Sequence, residues 1–366
     1  MRRPEKGETE GENMTLTLVS FATVAVTAAV GVAILVQLMR PIAPRIGLVD
    51  VPVGRKTHTG NIPLIGGPAI WLVIVIGNAL VFPSLYASAL LATSTLILMG
   101  IMDDRQPIRA PVKLLAQLSI CLAFVLAHDI RLHDIGVYPW FGAPEYGVYH
   151  TALATLALVG AINCFNFIDG IDGLCASLAL ATFLHVALAF QLIGEAPPTS
   201  LVFQMALYLG ALLTFLGFNL GVFGHRKIFL GDSGSIFLGF SVGTLTLVAS
   251  QTNAATPQSV IPASLCLWIV ALPVADLVFT SLRRMATNRS PMAPDRSHLH
   301  YVLIDGGWSP RASLVWMIIG ASAAFWLGFF ILHNFGEPAT VVGFLCFLVF
   351  YAGLAETLHR RMVSAH

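Results

Sequence analysis

The sequence predicts an all-α, polytopic integral membrane protein with about eleven transmembrane helices. Of its 366 residues, 56% are hydrophobic and only 11% are charged. Mean hydropathy is +0.80, far outside the composition of soluble domains. Uncharged apolar runs recur at roughly the 20 residues a bilayer-spanning helix requires. The basic residues supply a third observation: with this number of spans, alternate loops place 16 of the 20 Lys and Arg on one side. An even number of spans would spoil that asymmetry. By the positive-inside rule the basic side is cytoplasmic, with the N-terminus outside and the C-terminus in the cytoplasm.

Residues 1–15 are polar and acidic enough to form a disordered tail. They lack the small-residue cleavage site of a signal peptide, and Met14 is an alternative start. Helices are expected near residues 16–39, 69–85, 86–102, 111–127, 151–168, 174–193, 201–223, 234–250, 260–282, 313–335 and 340–358. The second and third are divided only by the Pro83-Ser84 turn. Residues 16–360 then form one transmembrane domain, with cytoplasmic loops 40–68, 103–110, 163–173, 224–233 and 283–312. Cys121, Cys164, Cys175, Cys266 and Cys346 lie in or beside these helices without metal-ligand spacing, as small core residues do. His185, within an apolar helix, reads as a core histidine.

Carboxylates collect at the cytoplasmic helix ends. Asp103 and Asp104 close one helix, Asn163 to Asp172 close another in NCFNFIDGIDGL, and Asp232 opens a third in GDSGS. A transporter would set acids near the bilayer midplane on broken helices. An enzyme joining a cytosolic substrate to a lipid headgroup would set them at the interface, and this distribution favours the enzyme. Asn163, Asn166, Asp169 and Asp172 recur every three residues. In a continuous helix each step turns about 300°, so the four would not converge. Gly170 and Gly173 are expected to break the helix and let the last two side chains fold back as a polar cup. Capping with an Asx turn would account for one aspartate.

In GDSGS an acid sits between glycines at a helix start, where it either caps the helix or holds a hard cation. Neighbouring Asp103 and Asp104 repel unless a metal or base compensates them, and Arg105, Arg109 and Lys113 supply bases. Acids for Mg²⁺ beside bases for phosphate are what phosphoryl transfer requires. In the loop RRMATNRSPMAPDRSHLHYVLIDGGWSPRAS, His298 and His300 stand two apart with no Cys or Glu, which is not a zinc pattern. With Arg289 and Arg296 they suit an anionic substrate, bound best at mildly acidic pH if the imidazoles act as cations. Asp276, seven residues before Arg283 in an apolar helix, is either functional or a hydrogen-bonding partner between helices.

DDR at 103–105, NCFNFIDGIDGL at 163–174, KIFLGDSGS at 227–235 and PDRSHLH at 294–300, in that order on one side of the membrane, resemble the polyprenyl-phosphate N-acetylhexosamine-1-phosphate transferases. GLVDVPVGRKTHTGNIPLIGG at 47–67 and LWIVALPVADLVFTSLRR at 267–284 extend the resemblance over about residues 16–360. It looks most like the bacterial branch that starts O-antigen and related glycans. One departure is Tyr301, where the related loop usually carries a further histidine. The resemblance implies attack by undecaprenyl phosphate on the β-phosphate of a UDP-N-acetylhexosamine at the cytoplasmic face of the bacterial inner membrane, with the N-terminus periplasmic and Mg²⁺ or Mn²⁺ as cofactor. Asp232 and Asn166 look like the metal pair, Asp103 the base or phosphate-orienting acid, Asp104 its partner, and Lys113 a catalytic cation. Asn163, Asp169 and Asp172 look like nucleotide-site residues, with Phe229 stacking on uracil. Lys56, Arg296, His298 and His300 would meet phosphate or sugar. Membrane lipids are implied partners, a homodimer is compatible, and nucleic acid is not implied. One-step and covalent routes both stay open, and a nucleotide-sugar or lipid-linked-sugar transporter is the alternative function.

Overall fold

A computed structural model of the chain describes residues 6–51, 60–81, 87–128, 130, 132, 149–224, 226–251, 261–291 and 296–363. Lys56 lies outside the described residues. Twelve described helices run in the order α1 (Lys6–Met39), α2 (Gly66–Val81), α3 (Ala87–Arg105), α4 (Ala110–His128), α5 (Tyr149–Ile168), α6 (Leu174–Leu192), α7 (Thr199–Asn219), α8 (Gly231–Ser250), α9 (Ala263–Ile269), α10 (Ala271–Ala286), α11 (Leu299–Asp305) and α12 (Pro310–Val363). Each expected apolar segment coincides with one of these helices or part of one, except 260–282, which is divided between α9 and α10. Among the described residues, seven helices are long and apolar enough to cross a bilayer, or eight if α9 and α10 form one broken span.

That count is below eleven for reasons local to four places. α2 has 16 residues and is short for a span. α3 closes on Asp103, Asp104 and Arg105. α12 holds two expected segments in one element: Gly336 adopts φ 78°, which favours glycine, and Pro338 follows it. The expected helix 260–282 is broken at Val270, where α9 and α10 meet at 75°. Pro273 explains the break, because its ring lacks an N–H and would clash with the carbonyl four residues back, at Ile269. At the N-terminus α1 begins at Lys6, inside the polar stretch expected to be disordered, and its apolar portion is Val19–Met39.

α8 lies at the centre, packed against α2, α3, α5 and α6. Its first turn is approached by bare backbone. A methyl group added to Gly67 of α2 would land on Gly234, and one on Gly100 of α3 would land on Ser233. Glycine at both positions lets three helices meet at the turn that carries Asp232. A short antiparallel pair, β1 (Val49–Asp50) with β2 (Ile62–Pro63), adds a strand element to an otherwise helical fold. It is joined to the segment before α8: Phe229 N–H donates to the Pro63 carbonyl at 2.9 Å, and Gly66 N–H donates to the Phe229 carbonyl at 3.0 Å.

Polar contacts bring the expected cytoplasmic ends together at one end of the bundle. Arg40, after α1, donates to the Arg226 carbonyl. Asn219, closing α7, donates to the Ile228 carbonyl at 2.9 Å. Asp103 of α3 meets Lys113 of α4, and Asn166 of α5 meets Asp232 of α8. Deeper in the bundle the polar side chains pair between helices, as Tyr208 does by donating to Ser241 at 2.7 Å. His185 is buried and stacks on Phe325 with ring centroids 4.6 Å apart. Four of the cysteines are buried as expected; Cys346 is exposed on the outer face of α12, where a small apolar residue suits lipid as well as it suits a core.

Candidate active site

The site forms where α3 and α5 end and α4 and α8 begin. Lys113 stands in the first turn of α4, with its Nζ 2.5 Å from Asp103 Oδ2, 3.2 Å from Asn166 Oδ1 and 3.9 Å from Asp232 Oδ2. Asp103 is buried, and its other oxygen accepts the Ile108 N–H at 2.7 Å. Asn166 donates to Asp232 Oδ1 at 2.7 Å and to the Ser235 hydroxyl at 2.9 Å. The Asp232 side chain is 41% exposed, against 7% for Asp103, so this group opens to solvent on the Asp232 side.

The adjacent acids are compensated in different ways. Lys113 neutralises Asp103, while Arg105 and Arg109 point to solvent. Asp104 turns the other way, accepting the Asp232 N–H at 2.7 Å and the Ser233 N–H at 3.1 Å. It caps α8, whose leading Gly231 has φ 76°. Asp104 therefore supports Asp232, a partner 128 residues away, and makes no such bond to Asp103.

NCFNFIDGIDGL breaks where its glycines suggest: α5 ends at Ile168 and α6 starts at Leu174, after Gly173 with φ 78°. Its four polar side chains do not share one cup. Asn163 lies a turn below the end of α5 and donates to Gln117 Oε1 at 2.8 Å, tying α5 to α4. Only Asn166 joins the Asp232 group. Asp172 pairs with Lys227 at 2.5 Å, and the Lys227 ammonium lies 5.1 Å from the centre of the Phe229 ring. Burial, then the negative charges of Asp232, Asp104 and Asp172, hold the Asp169 carboxyl well above the usual carboxylate range. Four acids thus share one field.

Residues 296–301 pack over this turn. His300 is fully buried, with neither ring nitrogen hydrogen-bonded among the described residues. A methyl group on Gly170 would land on its Nε2 and 2.8 Å from the Tyr301 oxygen. Burial pushes the His300 imidazole down to about 4, so it is neutral at mildly acidic pH, contrary to the cationic role expected for it. His298 also faces inward: Nδ1 lies 2.6 Å from Asp276 and Nε2 lies 3.1 Å from Arg284. Arg296 is exposed, holding Asp305 at 2.5 Å with its guanidinium 4.6 Å from the centre of the Tyr301 ring.

Ser235, Lys227 and Gln117 were not singled out by their sequence. Ser235 stands three residues after Asp232, one helical turn on, and Gln117 stands one turn after Lys113 in an apolar helix, so spacing could have found both.

Among the described residues no three His, Cys, Asp or Glu converge as a closed metal cage. Mg²⁺ fits this donor set nevertheless, because it binds through one or two protein oxygens and keeps the rest for water and phosphates. Asp232 offers an open carboxylate, and a rotation of the Asn166 amide presents its oxygen to the same space. The mutual repulsion around Asp169 is of the sign that a divalent cation relieves.

Known proteins are similar to this sequence over most of its length. The family model described as Glycosyl transferase family 4 matches residues 86–250, the stretch that supplies Asp103, Lys113, Asn166 and Asp232. The undecaprenyl-phosphate alpha-N-acetylglucosaminyl 1-phosphate transferase of Escherichia coli K12 is 31% identical over 319 residues, covering 85% of this chain and 84% of that protein. The protein of the same name from Salmonella typhi is 31% identical over 323 residues, 87% of this chain and 86% of its own. A probable undecaprenyl-phosphate N-acetylglucosaminyl 1-phosphate transferase of Bacillus subtilis is 32% identical over 317 residues, 82% of this chain and 85% of its own. With identity sustained over both lengths, the chain belongs to glycosyl transferase family 4.

Proposed function

We propose that this protein transfers N-acetylglucosamine 1-phosphate from UDP-N-acetylglucosamine to undecaprenyl phosphate. A phosphate oxygen of the lipid attacks the β-phosphorus of the donor. The bond from that phosphorus to the bridging oxygen breaks, and its electron pair leaves with the α-phosphate as UMP. The observation that carries this reading is the single hydrogen-bonded group of Asp103, Lys113, Asn166 and Asp232 at the helix ends, within the matched family region.

Each residue has work suited to its place. Lys113 supplies a positive charge to an attacking phosphate, and Asp103 fixes the direction of that ammonium. A phosphate monoester is largely ionised at neutral pH, so Asp103 orients the nucleophile more than it deprotonates it. Asp232 and Asn166 would hold Mg²⁺, with Mn²⁺ as a substitute; bound there it would neutralise charge developing on the diphosphate. Asp172, Lys227 and Phe229 form the rim suited to the nucleotide, and Arg296 is the exposed part of the loop suited to the donor's diphosphate and sugar, with His300 buried against the Gly170 turn. The basic loops set this end toward the cytoplasm of a bacterial inner membrane with the N-terminus periplasmic, and the product would be the lipid-linked start of O-antigen or a related envelope glycan.

The test is UMP release by the purified chain in detergent, from undecaprenyl phosphate and a panel of UDP-sugars. UDP-N-acetylglucosamine is expected to be the preferred donor, and Asp232→Asn is expected to lose most turnover while staying folded. UMP release from no donor would overturn the reading in favour of a transporter, and an unchanged Mg²⁺ dependence in Asp232→Asn would overturn the metal pair.

A further inference from the structure

Asp276 is a carboxylate in α10 that takes no part in the Asp103–Lys113–Asn166–Asp232 group, yet it is almost wholly buried and takes three donors. Its Oδ2 lies 2.6 Å from His298 Nδ1. Its Oδ1 accepts the Leu299 N–H at 2.9 Å and the Tyr351 hydroxyl at 2.8 Å. His298 is sandwiched further: its Nε2 lies 3.1 Å from Arg284 Nη2, and Arg284 Nη1 donates to the Pro291 carbonyl at 2.7 Å. The Arg284 guanidinium lies 5.6 Å from the centre of the Phe167 ring, two residues before Asp169.

The chemistry of the partners fixes the tautomer. An ionised carboxylate only accepts and a guanidinium only donates, so Nδ1 carries the proton and Nε2 accepts. One neutral imidazole thereby satisfies both neighbours. The network joins α10, α12, the end of α5 and the start of α11. From it hang Arg296 and His300, two residues to either side of His298.

We infer that Asp276 is a positioning residue for the donor substrate, acting through His298 and the Leu299 N–H to hold the 296–301 loop over the Asp169–Gly170 turn. His298 is then a strut between Asp276 and Arg284. Asparagine cannot replace Asp276: its one oxygen can face either His298 or the Leu299 and Tyr351 donors, and its NH₂ meets a donor on the other side. The inference rests on the reading that this loop meets the UDP-sugar.

The full chain in detergent tests it, with UMP release measured against each substrate for Asp276→Asn, Tyr351→Phe, His298→Asn and His298→Gln. Asp276→Asn is expected to raise the KM for UDP-N-acetylglucosamine by about tenfold or more, since a charge-assisted buried hydrogen bond is lost, with little change in the KM for undecaprenyl phosphate. The His298→Asn amide stands where Nδ1–H stood and keeps the Asp276 link, whereas His298→Gln keeps only the Arg284 link. Asparagine should therefore preserve more donor affinity. Equal rises in both KM values, a loss confined to kcat, or better donor use by His298→Gln would overturn the positioning role. If Asp276→Asn does not fold, Tyr351→Phe carries the test: it removes one of three hydrogen bonds and is expected to raise donor KM less, but in the same direction, and an unchanged value overturns the role. Failure of the underlying reading has its own signature, in which wild type releases no UMP or Arg296→Ala and His300→Ala raise only the lipid KM.

Discussion

Replacing Asp104 by asparagine tests how the site is built, because Asp104 is proposed to act on the reaction only through α8. Its two oxygens accept the Asp232 and Ser233 N–H groups at 2.7 and 3.1 Å. An amide keeps one acceptor and sets an NH₂ group against the other N–H, so one charge-assisted bond is lost, roughly 1.5–3 kcal/mol. Part of that is offset, because removing one negative charge relieves repulsion with Asp232. A net cost of about 1.4–2 kcal/mol felt in the reacting complex corresponds to a fall in kcat/KM of roughly 10- to 30-fold. Initial rates of UMP release across a Mg²⁺ series are the assay. Asp104→Asn should lose rate and need more Mg²⁺, because the displaced turn carries Asp232. Wild-type turnover with wild-type Mg²⁺ dependence would refute the capping argument.

Asp103→Asn removes the negative charge that faces Lys113 at 2.5 Å and should lower kcat at least about 100-fold with less effect on UDP-sugar binding; weakened donor binding at unchanged kcat would reverse the role given to Asp103. Gly170→Ala needs no unusual backbone angle, yet its methyl would land on His300 and 2.8 Å from the Tyr301 oxygen, so the loop must shift. A displacement of about 1 Å at a positioning element costs on the order of 100-fold, and donor kcat/KM equal to wild type would show that the loop is not docked there. His300 is held neutral down to about 4 by burial, so His300→Asn should change donor use by the same factor at pH 5.5 and pH 8, and a defect growing toward acid would contradict it. Because its folded value is depressed, the stability linked to His300 is full above about 6.5 and is lost as the unfolded state gains a proton below it. The thermal midpoint of wild type should accordingly fall more between pH 6.5 and pH 4 than that of His300→Asn.

Hydropathy made the helical bundle legible, because lipid demands long apolar helices. The breaks at Val270 and Gly336 were less legible: proline and glycine mark such places, but neighbouring helices decide whether the chain bends or merely kinks. At the site, Asp103, Lys113 and Asp232 were noticeable as charged groups at the ends of apolar helices, whereas Asn166 was set apart from its neighbours only by the family resemblance. The partition of the others was hidden. The resemblance made Asn163 a nucleotide-site residue, yet its amide donates to Gln117. Adjacency paired Asp104 with Asp103, yet its hydrogen bonds run to α8. Asp276 and His298 stand 22 residues apart, and only the fold brings them to 2.6 Å. Local periodicity reports which face a residue takes; it says nothing of which distant group meets it there.

The central claim is that the bond broken lies between the two phosphates of the donor and that the sugar leaves with its phosphate. UDP-N-acetylglucosamine labelled separately in the α- and β-phosphate, incubated with purified protein, Mg²⁺ and undecaprenyl phosphate, tests this directly. The account predicts β-label in the lipid extract and α-label in UMP, formed one for one. Both labels remaining together in UDP while the sugar alone reaches the lipid, or both remaining in intact UDP-sugar, would contradict it.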